Sequence, residues 1–206
     1  MYTLYAYTTP NARKVSILLE ELQVPYQVQK IDLRAGEQYK PEFLKINPNN
    51  KIPALVDKEN DFCIFESLAI MMYLAEKHER FLPSTDLVSR TKALQWCALQ
   101  ATGISPVFSQ LYRFTKLVTE PVPTIIDIQQ KESLRLLSVL NQQLSSHTYL
   151  TGDRYTIADM SAWPWIAYYQ QMCEQKIDKK KFCHVMRWFD AIGEREAVKR
   201  GMQVPA

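Results

Sequence analysis

An α+β domain of element order βαβαββα over residues 1–80, followed by an all-α bundle over residues 88–206, is the architecture that this 206-residue chain predicts. Three features carry it. Up to residue 80, short apolar runs of strand period alternate with runs of helical period. The last two strands are separated only by the polar turn Asp57 to Asp61, and after Phe81-Leu82-Pro83-Ser84 every apolar pattern is helical.

Taken in order, Tyr2 to Tyr7 is a short aromatic-rich strand, and Pro10 at a first helical position after Thr9 opens a helix. Val15, Leu18, Leu19 and Leu22 fall on one face of that helix. Pro25 ends the connection, and Tyr26 to Leu33 alternates as a second strand. Pro41 to Ile46 forms a short helix, and Ala54 to Val56 with Cys63 to Phe65 form a hairpin. Glu66 to His78 is helical, with Leu68, Met71, Met72 and Ala75 as its packed stripe.

In the second domain Leu87 to about Leu117, Thr124 to Leu144, Ile157 to about Cys173 and Phe182 to Arg195 carry apolar residues at three- and four-residue spacing. Thr156-Ile157-Ala158-Asp159 reads as a capping box. The Thr156 hydroxyl is expected on the Asp159 N–H and the Asp159 carboxylate on the Thr156 N–H, with Tyr155 and Met160 at the staple positions. Pro164 between Trp163 and Trp165 is expected to break a helix turn, and Trp163, Trp165, Tyr168 and Tyr169 to form bundle core.

Composition excludes several classes of function. With 47% hydrophobic and 23% charged residues the chain reads as an ordinary soluble globular protein that can bury a good core. The formal charge of +3 is spread out, and the run Lys179-Lys180-Lys181 reads as a solvated loop or helix end, so no nucleic-acid partner is expected. No apolar stretch approaches the roughly 20 residues of a membrane span, and Met1-Tyr2-Thr3 lacks the charged start of a signal peptide. A cytoplasmic protein is expected. The four cysteines Cys63, Cys97, Cys173 and Cys183 show no CxxC pair and no metal spacing with His78, His147 or His184. They are expected to be reduced and mostly buried, with a Cys173–Cys183 redox pair as the alternative, and no metal is expected.

The segment Asn47 to Ile70, NPNNKIPALVDKENDFCIFESLAI, is the most informative about function. It ends with Glu66-Ser67 at a helix start. Unpaired N–H groups and about half a positive charge there suit a carboxylate, while Glu66 suits an ammonium group. Together they form a receptor for a small zwitterion such as a γ-glutamyl group, which bears both charges on one carbon. Only about 5 to 6% of X-Pro bonds are cis, so Pro53 by itself predicts trans. Its place at the start of the strand Ala54 to Val56 is what favours cis.

These residues resemble those of the cytosolic glutathione transferases over essentially the whole chain. The carriers are the βαβαββα order, Ile52-Pro53, Glu66-Ser67 and the Thr156 box after Leu150-Thr151-Gly152-Asp153. Within that superfamily, Thr9-Pro10-Asn11-Ala12-Arg13-Lys14-Val15 and Asn47-Pro48-Asn49-Asn50-Lys51-Ile52-Pro53 resemble the bacterial nu class, known as glutathione-dependent disulfide-bond reductases, and its fungal prion-forming relative. The resemblance implies a thioredoxin-like first domain, a cis Pro53 and a homodimer. It also implies glutathione as co-substrate, contacted by Gln38, Asn50, Lys51, Ile52, Glu66 and Ser67: the cysteinyl part on the Ile52 backbone, the γ-glutamyl end on Glu66 and Ser67. Thr9 and Asn11 are then the groups near the sulfur, with Tyr7 as the alternative partner. One departure stands out: Ile128 aligns where related sequences carry an arginine that contacts glutathione. Arg113 and Arg135 are the candidate substitutes.

A thiol with a pKa near ~8.5 must be held as thiolate to react at neutral pH. One neutral hydrogen bond contributes about 0.5 to 1.5 kcal/mol and a helix N-terminus about 0.3 to 1 kcal/mol, enough to bring a thiol down by roughly one to two pH units. No Cys or Ser precedes Ser16, which excludes chemistry by a protein thiol in the first helix turn, and Thr8-Thr9-Pro10 does not match the Ser-Ser-Cys start of an isomerase. The expected function is a glutathione-dependent transferase or disulfide-bond reductase acting on disulfides or small electrophiles held against the helical domain. The alternative is a non-catalytic binding or regulatory protein of the same fold.

Overall fold

The computed structural model describes residues 1–172 and 176–205, and the chain divides into two compact units, Met1–Ser84 with Gly193–Ala206, and Thr85–Ile192. The first unit is built on a four-stranded sheet in the order β2-β1-β3-β4, with β1 Tyr2–Ala6, β2 Tyr26–Lys30, β3 Ala54–Asp57 and β4 Phe62–Phe65. β1 pairs parallel with β2 and antiparallel with β3, which closes the hairpin with β4. Both faces of β1 are covered. Tyr2, Leu4 and Ala6 are buried on one face; on the other, Tyr5 packs against Phe43 of α2 (Pro41–Leu44), ring centroids 6.1 Å apart.

Helix α1 runs Pro10–Leu22 and buries Val15, Leu18, Leu19 and Leu22, the expected face. The second strand stops earlier than its alternation suggests. Asp32 Oδ1 accepts from the N–H groups of Arg34 (2.9 Å) and Ala35 (3.3 Å), and this local turn takes the chain out of the ladder after Ile31. Helix α3 (Ser67–Lys77) buries Ile70, Met71, Leu74 and Ala75, so the packed stripe is displaced from the expected one and Leu68 and Met72 are only half-buried. An apolar helix of this composition offers two candidate stripes, and tertiary packing selects one.

A short helix α9 (Glu196–Gly201) returns to the first unit and was not expected. Its signals are Glu196 in the first turn with Lys199 and Arg200 in the last. It lies against α1: a Cβ on Gly201 would stand 2.7 Å from the Ile17 backbone, Ser16 donates to the Gly201 carbonyl at 2.7 Å, and Arg195 forks onto Glu21 at 2.6 and 2.8 Å.

The second unit is helical: α4 Leu87–Leu99, α5 Ser105–Tyr112, α6 Pro123–Leu144, α7 Ile157–Met172 and α8 Cys183–Gly193. α4 and α5 join without a break through a wider π-type turn, Gln100–Ile104, and a second such turn, Arg113–Leu117, follows. Pro164 does not break a turn; it lies buried inside α7. Burial of the flanking Trp163 and Trp165 (6% and 4% exposed) outweighs the one lost helix bond. The Thr156 box is half as expected. Thr156 N–H donates to Asp159 Oδ2 at 3.0 Å, but the Thr156 hydroxyl accepts from Ala158 N–H (3.3 Å) instead of Asp159. Asp159 also accepts from Leu150 N–H and Trp188 Nε1, each at 2.9 Å. Burial pushes its carboxyl up against the pull of these donors.

Of the cysteines, Cys97 is buried but Cys63 and Cys183 are exposed thiols, contrary to the mostly buried expectation. On β4 only Ile64 points inward, which turns Cys63 outward. The Cys173–Cys183 pairing lies outside the described residues. Among the described residues no helix is long and apolar enough to cross a membrane, and no group of three or more His, Cys, Asp or Glu could hold a metal ion.

Candidate functional site

Three segments of the first unit meet at one point. The turn from β1 into α1 is tied by Thr9, whose N–H donates to the Tyr7 carbonyl at 2.7 Å and whose hydroxyl caps the helix by accepting from Ala12 N–H at 3.4 Å. This cap puts Asn11 in the first turn, half-buried.

The loop before β3 is organised by Asn47, which is 1% exposed. Its Nδ2 donates to the Lys51 carbonyl at 2.6 Å, its Oδ1 accepts from Asn49 N–H at 2.9 Å, and its carbonyl accepts from Asn50 N–H at 3.1 Å. Asn50 sits at φ +47°, a left-handed conformation that asparagine tolerates better than most residues. The Ile52–Pro53 bond is cis, and Ile52 packs beside the Ile31, Phe43 and Ala54 cluster. The ladders of β3 reach only as far as Ala54, so the Ile52 backbone stands outside the sheet.

The third segment is the start of α3. Glu66 is its N-cap at φ +67°, outside the helix, and its side chain makes no cap bond to the first turn. The Glu66 carbonyl accepts from Ile70 N–H at 2.9 Å, while its carboxylate accepts from Asn49 Nδ2 at 3.2 Å. Lys14 Nζ donates to Ser67 Oγ at 3.4 Å.

Asn11, Asn47, Lys51, Ile52, Pro53, Glu66 and Ser67 line a cleft of about 50 Å³. Of the residues singled out in the sequence, Asn11, Lys51, Ile52, Glu66 and Ser67 converge there. Asn50 adjoins the lining residue Lys51, and Thr9 precedes Asn11 by two residues; neither lines the cleft itself. Gln38 stands apart on the turn Glu37–Tyr39, with Nε2 donating to the Leu33 carbonyl at 3.5 Å and Oε1 buried without a partner among the described residues. The cleft is too small for a whole tripeptide, since ligand pockets usually span about 300–1,000 Å³; it fits one charged end. Asn47 is the residue that sequence reasoning missed. Its signal was the polar run Asn47-Pro48-Asn49-Asn50, a turn composition in which one asparagine commonly bonds the backbone two residues on.

Ile128 is 55% exposed on α6, the exposed Arg113 lies in the turn after α5, and Arg135 is engaged by Glu132 at 2.7 and 2.6 Å. A larger cavity of about 470 Å³, lined by Tyr5, Ile31, Phe43 and Ile46 with a charged rim of Glu37, Lys40 and Glu42, shares no residue with the cleft.

A cis-proline loop facing an uncapped helix start on a four-stranded mixed sheet, in a chain whose other unit is helical, defines the glutathione transferase class of protein. The chain belongs to that family: the glutathione S-transferase N-terminal domain matches residues 1–76 and the C-terminal domain residues 101–196. It is 38% identical to the disulfide-bond oxidoreductase YfcG of Escherichia coli K12, over 98% of this chain and 94% of that protein. It is also 38% identical to the disulfide-bond oxidoreductase YghU of the same organism, over 96% of this chain and 73% of that protein. A glutathione transferase from Burkholderia graminis, crystallised with two glutathione molecules per subunit, superposes with a TM-score of 0.92 at 36% identity, covering 99% of this chain and 88% of that one.

Proposed function

We propose that this chain is a glutathione-dependent disulfide-bond reductase and transferase, with the glutathione site carried by residues 1–80. The observation that carries the proposal is the convergence of Asn11, Lys51, Ile52, Glu66 and Ser67 on one cleft at the start of α3. The relatives named as disulfide-bond oxidoreductases and the neighbour crystallised with glutathione support it.

Each residue has a role that its chemistry suits. The Glu66 carboxylate takes the ammonium of the γ-glutamyl group, and Ser67 with the first-turn N–H groups of α3 takes its α-carboxylate. The Ile52 backbone, outside the ladder, pairs with the cysteinyl residue as a further strand would. Lys51 and Asn50 supply donors on the same loop, and Gln38, on the turn Glu37–Tyr39, contacts the peptide beyond the cleft. Asn11, with Thr9 setting the helix start, donates to the sulfur and lowers its pKa. Bound glutathione supplies a thiolate that attacks one sulfur of a disulfide, forming a mixed disulfide and expelling the other half as thiolate; a second glutathione thiolate then attacks the glutathione sulfur of the mixed disulfide, forming glutathione disulfide and expelling the remaining half as thiolate. We further propose activity on small electrophiles, a homodimer and a cytoplasmic location.

Calorimetric titration with glutathione tests the site. Binding is expected in the micromolar to millimolar range and is expected to weaken at least tenfold in Glu66→Ala and Ser67→Ala; no binding at millimolar ligand would sink the assignment. Steady-state reduction of a model mixed disulfide beside conjugation of an aryl halide tests turnover. Binding with neither activity would favour a non-catalytic protein.

A further inference from the structure

Lys14 lies on α1 and is only 2% exposed, one of the largest fully buried side chains of the chain. Lysine is almost never buried to this extent unless its charge is met by the surroundings. Its Nζ stands 3.4 Å from Ser67 Oγ, the hydroxyl that opens α3 and lines the cleft with Glu66 and Asn11. Position 14 follows position 11 by three residues, so Asn11 and Lys14 project from one face of α1 toward one end of α3.

We propose that Lys14 is a positioning residue for glutathione, acting through Ser67 on the α-carboxylate of the γ-glutamyl group. This rests on the glutathione reading of the cleft and assigns it a second charge. A serine hydroxyl can accept from an ammonium while donating its one hydrogen to a carboxylate, so Lys14, Ser67 and the ligand form a directed chain. A carboxylate oxygen at ordinary hydrogen-bond distance from Ser67 Oγ is then no more than about 6 Å from Nζ, inside the roughly 8 Å over which salt at physiological strength screens a charge. The γ-glutamyl end is thereby recognised by opposite charges on two elements, Glu66 before α3 for the ammonium and Lys14 of α1, behind Ser67, for the carboxylate. A γ-glutamyl group is distinguished from ligands that carry only one of the two charges.

The test is a cycle of protein and ligand changes, read by calorimetry on the full chain. Wild type, Lys14→Met and Lys14→Gln are each titrated with glutathione and with an analogue whose γ-glutamyl α-carboxylate is a carboxamide. Lys14→Met is expected to raise the Kd for glutathione 10- to 100-fold, which is about 1.4 to 2.7 kcal/mol, and that for the analogue less than threefold. The KM for glutathione in disulfide reduction rises in step while kcat at saturation is retained. Should Lys14→Met lose its circular dichroism signal, Lys14→Gln, which keeps a donor without the charge, is read in the same way. Wild type must in any case prefer glutathione to the analogue by at least tenfold. Equal weakening of both ligands, or no preference in wild type, overturns the proposal and leaves Lys14 a core residue. Failure of wild type to bind glutathione at all removes the glutathione reading itself, and the proposal with it.

Discussion

Asp159→Ala would remove a carboxylate on which four donors converge. Asp159 is 0% exposed; Oδ1 accepts from Leu150 N–H and Trp188 Nε1 at 2.9 Å each, and Oδ2 from Thr156 N–H at 3.0 Å and the Thr156 hydroxyl at 3.3 Å. Alanine leaves the three N–H groups unpaired among residues that are themselves no more than 2% exposed. Each such orphan costs about 1 to 3 kcal/mol, whereas the hydroxyl can rotate elsewhere. A water entering the space of the lost carboxylate recovers part of this, as does relief of the buried charge that raises the carboxyl's pKa. A net loss of about 3 to 5 kcal/mol follows, a large share of the roughly 5 to 15 kcal/mol that stabilises a domain. At about 2 to 4 °C per kcal/mol for a chain of this size, Tm falls by roughly 6 to 20 °C. Urea unfolding followed by circular dichroism and tryptophan fluorescence measures it. A loss below about 1 kcal/mol would refute the reasoning, because it would mean that these donors find other partners.

Three further outcomes are expected. Asp57 is fully buried; burial would raise its carboxyl, but Lys77, Tyr73, the Glu59 N–H and Asn60 outweigh it and hold it well below the usual carboxylate range. The stability it contributes is therefore complete above the unfolded value of 3.8 and is lost as pH falls toward the folded one. Asp57→Asn should cost about 3 kcal/mol at pH 7 in chemical denaturation, with the gap to wild type narrowing steadily as pH falls below about 4; a gap of undiminished size at pH 2 would contradict this. Gly201→Ala would stabilise an ordinary helix by up to about 1 kcal/mol. Here the added Cβ meets the Ile17 backbone at 2.7 Å, so a loss of about 1 to 3 kcal/mol is expected in thermal unfolding. Asn11→Ala should raise the pKa of bound glutathione, followed by thiolate absorbance, by about one pH unit and lower turnover about tenfold, with Tyr7→Phe nearly silent. Equal losses in the two variants would remove Asn11 as the sulfur's partner.

Much of this molecule is legible in its residues because the signals are local. Thr9-Pro10 marks where α1 begins, period two and period 3.6 separate strands from helices, and the Asn47 to Ser67 segment carries its own turn, proline and helix start, so the loop and helix start at the cleft can be read before any fold is known. Local chemistry also left errors wherever distant residues decide. The buried stripe of α3 is Ile70 and Leu74 rather than Leu68 and Met72, Pro164 stays inside α7 because two tryptophans are buried around it, and Asp159 serves Leu150 and Trp188 as well as its own box. Lys14 is the sharpest case. Its helix pattern gives no reason to bury an ammonium; only the approach of α3 brings Ser67 to 3.4 Å from Nζ. By itself the sequence determined where most strands and helices lie and which polar groups stand on the Asn47 loop and at the start of α3, since both follow from near-neighbour chemistry. Tertiary structure alone decided which of those groups share a cleft and what stands behind them, since that depends on how α1, the Asn47 loop and α3 pack across one sheet.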